Sequence, residues 1–286
     1  MHFVNAKSIL GKWGMNIYRG CQHGCIYCDS RSKCYQFTHA FEDIEVKQNA
    51  PELLESALRG KRKKCMIGTG SMCDPYLPIE KELCLTRRTL EIIERYGFGA
   101  TVLTKSDLVL RDLDILERIN KTAKAVVQMT ITTYDDKLCR IIEPNVCPSS
   151  RRFEVLYACR ERKIPTVVWL CPILPFINDT DKNIKGILEL CINAGVHAIL
   201  CFGMGVTLRS GDREYFYAAL DRNFPGIKER YIHTFKNAYE ITSPRNAELM
   251  YLLAEGCRAN GIMLGVRNVF EYLNDFPEKN IQMELW

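Results

Sequence analysis

The stretch YRGCQHGCIYCDSRSKC, residues 18–34, places three cysteines in one short segment. Cys21, Cys25 and Cys28 follow the spacing C-x3-C-x2-C, and the aromatic residue Tyr27 directly precedes the third cysteine. Soft thiolates select iron–sulfur clusters, and such clusters normally bind four of them. Three protein ligands leave one iron open to bind another molecule. The spacing therefore predicts a [4Fe–4S] cluster held by these three cysteines, with one iron available for chemistry.

Zinc is the main alternative for this loop. A structural zinc site uses four ligands, commonly as two cysteine pairs, and here Cys34 or His23 would have to supply the fourth. A disulfide is disfavoured by the reducing compartment that the composition indicates. Inert buried thiols are also disfavoured, because Gly20 and Gly24 flank a loop and not an apolar face.

The composition is that of a globular protein with a substantial core. The chain has 286 residues, 47% of them hydrophobic and 26% charged, with a net charge of +5 that permits an anionic partner without requiring one. Its 14 cysteines occur in a long chain in which we find no signal peptide, which favours a reducing compartment over a disulfide framework. The most apolar segments are shorter than the about 20 residues that span a bilayer. We therefore expect a cytoplasmic protein without membrane contact.

Short apolar runs that are typical of buried strands alternate with amphipathic stretches that are typical of helices. The predicted strands are 15–20, 65–70, 100–106, 124–133, 166–174 and 198–206. The predicted helices between them are 51–60, 81–97, 112–120, 149–163 and 183–195. Consecutive βα units pair in parallel through right-handed crossovers. The fold class is therefore α/β, either as an open sheet or as a partial barrel.

No repeat, low-complexity tract or obvious linker divides the chain. We expect a core of residues 1–210 and a mostly helical C-terminal extension of residues 211–286 packed on it, which together could be one continuous domain. The extension is predicted to contain a helix at 243–261 and a short strand at 262–266.

The cysteine spacing, with its aromatic residue and its position at the start of a βα-repeat chain, resembles the radical S-adenosylmethionine (SAM) superfamily. The segments YRGCQHGCIYC (18–28), GTGSMCDPYLPIE (68–80) and CPILPFIND (171–179) resemble the branch that contains spore photoproduct lyase and the DNA repair photolyase-like proteins. The resemblance covers residues 13–210. It implies a partial (βα)6 TIM-type barrel with parallel strands, and SAM bound to the open iron. The reduced cluster would pass one electron to the sulfonium, giving methionine and a 5′-deoxyadenosyl radical that takes hydrogen from a substrate.

The resemblance also implies residues that hold SAM. An aromatic residue at Tyr27 would pack against the adenine, although it could equally serve loop packing. Asp74 matches an acidic residue that contacts SAM; the alternative is an Asx cap before a proline. Lys105 would pair with the SAM carboxylate, unless it is simply solvated. The remaining implied contacts are the strand-end segment Gly68, Thr69 and Gly70, and a hydroxyl from Thr130 or Thr132, for which ordinary strand propensity is the alternative.

One position departs from the lyase. There a cysteine three residues before the aspartate returns hydrogen to the product radical, and the matching residue here is Ser71. Cys73 is nearby but shifted by two positions, which puts the lyase reaction itself in doubt. Cys73 is a candidate hydrogen donor, with a structural thiol as the alternative.

The resemblance implies a radical SAM enzyme with an external one-electron donor such as flavodoxin or ferredoxin. By analogy with this family, and not from particular residues, the expected substrate is a nucleic-acid base or damaged DNA. Radical modification of a protein, peptide or small metabolite is an alternative. A non-catalytic zinc or iron–sulfur module that binds nucleic acid is another. The basic run RGKRKK at 59–64 is interpreted as a solvated helix end, and Arg209 is a candidate for facing an anionic substrate.

Overall fold

The structure is a computed structural model that describes residues 1–11 and 14–277. Its strands are β1 (His2–Val4), β2 (Leu10–Gly11), β3 (Gly14–Met15), β4 (Tyr18–Arg19), β5 (Glu45–Lys47), β6 (Met66–Thr69), β7 (Gly99–Thr104), β8 (Ala125–Thr130), β9 (Thr166–Trp169), β10 (Ala198–Leu200), β11 (Gly205–Thr207), β12 (Glu240–Thr242) and β13 (Met263–Leu264). Its α-helices are α1 (Ala50–Arg59), α2 (Glu80–Leu83), α3 (Leu85–Arg95), α4 (Leu113–Thr122), α5 (Asp136–Ile142), α6 (Ser149–Glu161), α7 (Asp181–Ala194), α8 (Asp212–Asn223), α9 (Ile227–Phe235), α10 (Asn246–Ala259) and α11 (Val266–Asn274).

The main sheet has eight strands in the order β13-β10-β9-β8-β7-β6-β3-β2. Each neighbouring pair from β3 to β13 is parallel, and only the β2–β3 pair is antiparallel. All six residues of β8 are buried, as expected for a central strand of a parallel sheet. The predicted α/β fold, with parallel strands in six βα units of a partial barrel, is confirmed.

Three predicted elements are each split into two. The run 15–20 forms β3 in the main sheet and then β4, which pairs antiparallel with β5 in a separate small sheet. The run 198–206 forms β10 and β11, because Asn246 accepts a hydrogen bond from the Met204 amide at 2.8 Å and turns the chain out of the sheet. The helix 81–97 is broken at Cys84, whose φ of 51° is left-handed. The hydrophobic pattern continues across these breaks, so it did not reveal them.

The part of the chain beyond residue 210 contributes helices and two short strands. The predicted helix 243–261 is α10, and the predicted strand at 262–266 is β13, which lies parallel beside β10 at the end of the main sheet. β12 pairs antiparallel with β11. The division at residue 210 stays a prediction, and residues 278–286 of the expected extension lie outside the described residues. Within the described ranges, every helix is too short or too polar to cross a bilayer.

Candidate active site

A cavity of about 850 Å³ opens at the carboxyl ends of the parallel strands. Its lining includes residues at or just beyond the ends of five adjacent strands: Gly70, Thr104, Thr130, Trp169 and Phe202. The cysteine loop that follows β4 closes one side. Parallel α/β folds place their sites at this end of the sheet, and the volume lies within the range of about 300–1,000 Å³ typical of small-molecule pockets.

The cysteine loop is fixed to two neighbouring segments through its backbone. The Cys21 amide donates to the Phe41 carbonyl at 3.0 Å, and Gly20 has a φ of 88° that brings its Cα against the same carbonyl. On the other side, the Ile26 amide donates to Ile142 at 2.9 Å. The last residue of α5, a helix that the sequence pattern did not predict, thus holds the loop in place.

Asn145 adds two further bonds to this loop. Its backbone amide donates to the His23 carbonyl at 3.1 Å, and its side-chain Nδ2 donates to the Gln22 carbonyl at 2.9 Å. These bonds satisfy carbonyl groups that a tight loop leaves without partners of its own. The backbone that presents the three thiols is therefore set by residues more than a hundred positions away in the sequence.

The three thiols all line the cavity, with Cys25 buried and Cys21 and Cys28 partly exposed. Their ligand atoms do not all lie within 4.8 Å of one another, since the described residues contain one such group and it is elsewhere. A single tetrahedral zinc would hold its sulfurs at about 3.8 Å from each other, given zinc–sulfur bonds of about 2.3 Å. A multi-iron cluster, in which each thiolate binds a different iron, fits a wider spacing. The donor set therefore fits an iron–sulfur cluster better than zinc.

Burial affects how these thiols ionise. Removal from water raises the pKa of Cys21 to about 12 and raises that of Cys25 as well. A cationic metal centre stabilises thiolates that burial disfavours, so binding of the cluster would release protons. Cys34 is exposed, lies outside the cavity lining and is 3.6 Å from Arg209. The structure gives no support to Cys34 as a fourth ligand.

Tyr27 is anchored by a buried ion pair. Its hydroxyl donates to Glu143, and the second carboxylate oxygen of Glu143 lies 2.5 Å from Arg152. Both members of the pair are fully buried. Burial raises the pKa of Glu143, but the charges of Arg152 and Lys105 outweigh it, so the pKa lies below its ordinary value. The tyrosine ring therefore lines the cavity in a fixed position. The sequence did not reveal this anchor, because Glu143 is 116 residues away from Tyr27.

Asp74 is bound on several sides. Its Oδ1 accepts from the Tyr76 amide at 2.9 Å and from the Thr104 hydroxyl at 2.7 Å, and its Oδ2 accepts from the Lys105 amide at 2.8 Å. The buried His23 ring lies 3.5 Å from the same Oδ2. The bond to Tyr76 is the Asx turn that was the structural alternative. Asp74 also lines the cavity, so it both ties two strand ends together and faces the space for a ligand.

Replacing Asp74 by asparagine is expected to lower the free energy of unfolding by about 1–3 kcal/mol. The amide oxygen can keep the bonds at Oδ1, but its NH2 group would then face the Lys105 amide, and two donors would meet. The measurement is urea unfolding of the reduced, cluster-free protein. The matched control is Asp107→Asn, which affects only a half-exposed ion pair with Arg151 and should change the value by less than about 1 kcal/mol. Equal effects of the two variants would contradict this structural role for Asp74.

Lys105 and Arg209 are the lysine and the arginine of the described cavity lining, and Lys105 is the one that lies beside the cysteine loop. Burial lowers its pKa, but the negative charges that Cys25, Glu143 and Asp74 can carry outweigh burial and raise the pKa above its ordinary value. The ammonium therefore stays charged near neutral pH. A charged lysine at a strand end is suited to pair with a carboxylate of a bound molecule.

Of the other residues predicted to contact SAM, some line the cavity and others do not. Gly70 lines the cavity with a φ of 101°, and a side chain there would collide with the Leu103 carbonyl. Gly68 and Thr69 lie within β6 and outside the lining. Thr130 lines the cavity, whereas Thr132 is fully buried and donates to Glu143 at 3.3 Å. Of the two threonines, Thr130 is the one placed to meet a ligand.

The two candidate hydrogen-donor positions differ in their surroundings. The Cys73 thiol is buried and lies 2.7 Å from the Gly20 carbonyl, to which it donates, and burial raises its pKa. Ser71 is exposed, and both residues line the cavity. Cys73 thus packs against the start of the cysteine loop while one part of it borders the cavity.

The mouth of the cavity carries an aromatic pair that sequence reasoning missed. Phe202 is 58% exposed, and its ring lies edge-on to Trp169 at 6.0 Å. Arg209, also in the lining, has a side chain that is 40% exposed and lies 3.5 Å from Asp29. Trp169 is the last residue of β9, and Phe202 lies two residues beyond the end of β10. The predicted strands 166–174 and 198–206 continue past both residues, so the sequence pattern gave no signal for this pair.

Comparison with known proteins places this site in a family. The sequence profile of the radical SAM superfamily matches residues 15–191, which contain the cysteine loop and most of the parallel strands. An uncharacterized protein of Methanocaldococcus jannaschii is 34% identical over 181 residues, covering 62% of this chain and 67% of the relative. An uncharacterized protein of Mycobacterium tuberculosis is 26% identical over 245 residues, covering 81% and 69%.

Among solved structures, spore photoproduct lyase complexed with dinucleoside spore photoproduct superposes with a TM-score of 0.64 at 13% identity, covering 92% of this chain and 80% of the lyase chain. A mutant of that lyase with bound AdoMet and dinucleoside spore photoproduct gives 0.62 at 13% identity, covering 88% and 75%. At this identity the likeness shows a shared fold. Because the matched profile spans more than half of the chain and contains the three cysteines at the cavity, the protein belongs to the radical SAM superfamily, whose enzymes use a [4Fe–4S] cluster and SAM.

Proposed function

We propose that this radical SAM enzyme takes hydrogen from a nucleic-acid base held at the mouth of the cavity. When bound, the cluster and SAM supply one-electron cleavage of the sulfonium to methionine and a 5′-deoxyadenosyl radical. The electron would come from a donor such as flavodoxin or ferredoxin. The observation that carries the choice of substrate is the exposed ring of Phe202 beside Trp169 at the cavity mouth, with Arg209 also in the lining.

On the cofactor side, each residue has a role suited to its surroundings. Cys21, Cys25 and Cys28 would hold the cluster from a loop whose backbone is fixed. Lys105 would pair with the SAM carboxylate, because it is the charged lysine of the lining. The anchored ring of Tyr27 would offer a flat surface to the adenine. Thr130 and Asp74 would supply polar contacts, while Gly70 lets the backbone come close.

On the substrate side, the aromatic pair supports a flat, unpaired base. Bases stack on aromatic side chains with a contribution of about 1–3 kcal/mol each, largely independent of sequence. Arg209 offers a cation for a phosphate next to the base. The basic run 59–64 precedes β6 and so lies at the opposite edge of the sheet from the cavity, which agrees with its interpretation as a solvated segment. Spore photoproduct lyase, solved in complex with dinucleoside spore photoproduct, shares this fold, and through the fold alone it supports the same substrate class.

Replacing Phe202 by alanine is expected to weaken binding of a short single-stranded oligonucleotide by about 5- to 160-fold, the loss of one stacked base. Binding would be measured by fluorescence anisotropy with the cluster-loaded protein. The matched control is Tyr251→Ala, which removes an aromatic ring that is 69% exposed on α10 outside the cavity lining. Equal affinities of the two variants would contradict stacking at Phe202.

The proposed reaction is tested by isotope transfer. The cluster-loaded protein would be incubated anaerobically with SAM, dithionite and oligonucleotides whose nucleosides carry deuterium, and 5′-deoxyadenosine would be analysed by mass spectrometry. Deuterium is expected to appear in the 5′-deoxyadenosine. Product formed without deuterium would contradict the proposed substrate class and favour a protein, peptide or small metabolite instead.

Cys73 is the proposed source of the hydrogen that would return to a product radical. Its thiol borders the cavity, but it already donates to the Gly20 carbonyl at 2.7 Å, so the bond must break for the thiol to act. Once the substrate is known, Cys73→Ala should stop product formation while leaving SAM cleavage intact. Unchanged turnover would assign the thiol a purely structural role.

A further inference from the structure

We infer that His2, His39 and Glu45 form a separate site for a divalent transition metal ion, with zinc as the best match. One ligand atom from each of these three side chains lies within 4.8 Å of the other two, and no other such group of three occurs among the described residues. None of the three lines the cavity. The site is therefore distinct from the one that would hold the iron–sulfur cluster.

The small three-stranded sheet brings two of these residues together. β1 and β5 are parallel neighbours, and His2 is directly paired with Glu45. Side chains of paired residues project from the same face of a sheet. His39 comes from the connection between the cysteine loop and β5, and its ring lies edge-on to that of His2 at 4.8 Å. Three separate segments thus converge on one face of this sheet.

The hydrogen bonds of the two histidines leave a nitrogen lone pair on each ring. Nδ1 of His2 lies 3.0 Å from the Asp43 carboxylate, and Nδ1 of His39 lies 3.0 Å from the Ala40 carbonyl. Both partners only accept hydrogen bonds near neutral pH, so Nδ1 carries the proton on both rings. Nε2 is then an unprotonated donor atom in both neutral imidazoles. A carboxylate or carbonyl behind the ring is the usual support of a metal-binding histidine.

One ring nitrogen of His39 has no partner and faces a carboxylate. This nitrogen, Nε2, is buried and has no hydrogen-bond partner, and it lies 3.9 Å from a carboxylate oxygen of Glu45. A buried lone pair beside a carboxylate is unfavourable when nothing positive lies between them. A metal ion placed there would bind both groups. The Asp43 carboxylate behind His2, which also pairs with the N-terminal ammonium, would hold that ring in place.

The donor set selects the class of metal. Two imidazoles and one carboxylate suit zinc and its neighbours in the first transition row, whereas calcium and magnesium prefer oxygen ligands alone. Zinc with two histidines and one glutamate keeps a fourth position for water. An ion bound there would connect β1 to the segment before β5. The Phe41 carbonyl in that segment accepts the hydrogen bond from the Cys21 amide. The ion would therefore help to hold the segment on which the cysteine loop rests.

The test uses untagged protein, because a polyhistidine tag would bind the same metal near Met1 and His2. The protein is loaded with its iron–sulfur cluster, equilibrated with zinc chloride and desalted. Zinc content is measured by mass spectrometry, and the ligands are identified by X-ray absorption at the zinc edge. We expect one zinc per chain with nitrogen and oxygen neighbours at about 2.0–2.2 Å and no sulfur at about 2.3 Å.

Three variants make the result specific. His39→Ala should lose this zinc, and Asp43→Asn should weaken its binding by about 10- to 100-fold, the usual effect of removing the partner of a metal-binding histidine. His233→Ala, which removes an exposed histidine on α9, should keep it. Iron content of each variant reports correct folding. Zinc bound only through sulfur, or equal zinc in His39→Ala and the unaltered protein, would overturn the inference.

Discussion

The Cys25→Ala variant is expected to form no 5′-deoxyadenosine above the background of the reagents alone. Cys25 is the most buried of the three thiols at the cavity, so neither water nor an added thiol can readily take its place. With only two protein ligands left for four irons, the cluster is not held firmly in the site, and the iron that would bind SAM is lost together with the cluster. Cys21 and Cys28 remain in the variant, and any residual iron bound by them would report partial assembly.

The measurement combines three readouts on protein reconstituted anaerobically with iron and sulfide. Iron content and visible absorption report the cluster, and mass spectrometry reports 5′-deoxyadenosine after addition of SAM and dithionite. The matched control is Cys34→Ala, which removes an exposed thiol from the same segment outside the cavity lining. It should keep about four irons per chain, the content of one [4Fe–4S] cluster. It should also form as much 5′-deoxyadenosine as the unaltered protein. Loss of the cluster in Cys34→Ala would make Cys34 a ligand, and a full cluster in Cys25→Ala would refute the assignment of the three cysteines.

The sequence predicts the three cluster ligands from local information alone, and the structure places all three cysteines in the cavity lining. Three thiols within eight positions, an aromatic residue and flanking glycines define one chemical unit. The order of the parallel strands follows for a similar reason: each βα unit is short, and its hydrophobic pattern is continuous. These features depend on residues that are neighbours in the chain.

The features that sequence reasoning missed depend on distant contacts. Glu143 lies in a helix end that carries no motif, and only the fold brings it to Tyr27 and Arg152. The exposure of Phe202 also depends on how the chain leaves β10, which a hydrophobic run does not show. Conversely, Thr132 has a hydroxyl that could contact a cofactor, but this hydroxyl donates its hydrogen bond to Glu143 instead. Residue type and spacing identify candidates, and packing decides which of them face the cavity.

The second large effect is expected at the buried ion pair behind Tyr27. Replacing Arg152 by methionine leaves the fully buried Glu143 carboxylate near the charge of Lys105 but without its ion-pair partner. Removing one member of a buried pair costs about 3–5 kcal/mol, because the remaining charge stays desolvated. Arg152 also donates to the carbonyls of Thr130 and Cys147 at 3.0 Å each, and these bonds are lost as well. We therefore expect a loss of this size in the free energy of unfolding of the reduced, cluster-free protein.

The neighbouring residue supplies the matched control. Arg151 is on the same helix, its side chain is 43% exposed, and it pairs with Asp107 and Glu154 at the surface. Arg151→Met should change the free energy of unfolding by less than about 1 kcal/mol, as is usual for exposed ion pairs. A second test is the double variant Glu143→Leu with Arg152→Met, which removes both charges and should regain part of the lost stability.

The dependence on pH separates this charge effect from simple loss of packing. In the unaltered protein the pKa of Glu143 lies below its ordinary value, so the pair stabilises the fold above the pKa of unfolded glutamate, about 4.3, and this contribution is lost as the pH falls through the folded-state pKa. In Arg152→Met the unpaired carboxyl gains a proton readily, which relieves the buried charge in acid. The difference in stability between the two proteins should therefore be largest near pH 7, shrink as the pH falls towards about 4.3 while the variant's carboxyl gains its proton, and shrink further below that pH as the unaltered protein loses the pair. A difference that stays constant across this range would mean that Arg152 acts through packing and its carbonyl bonds, and not through the charge of Glu143.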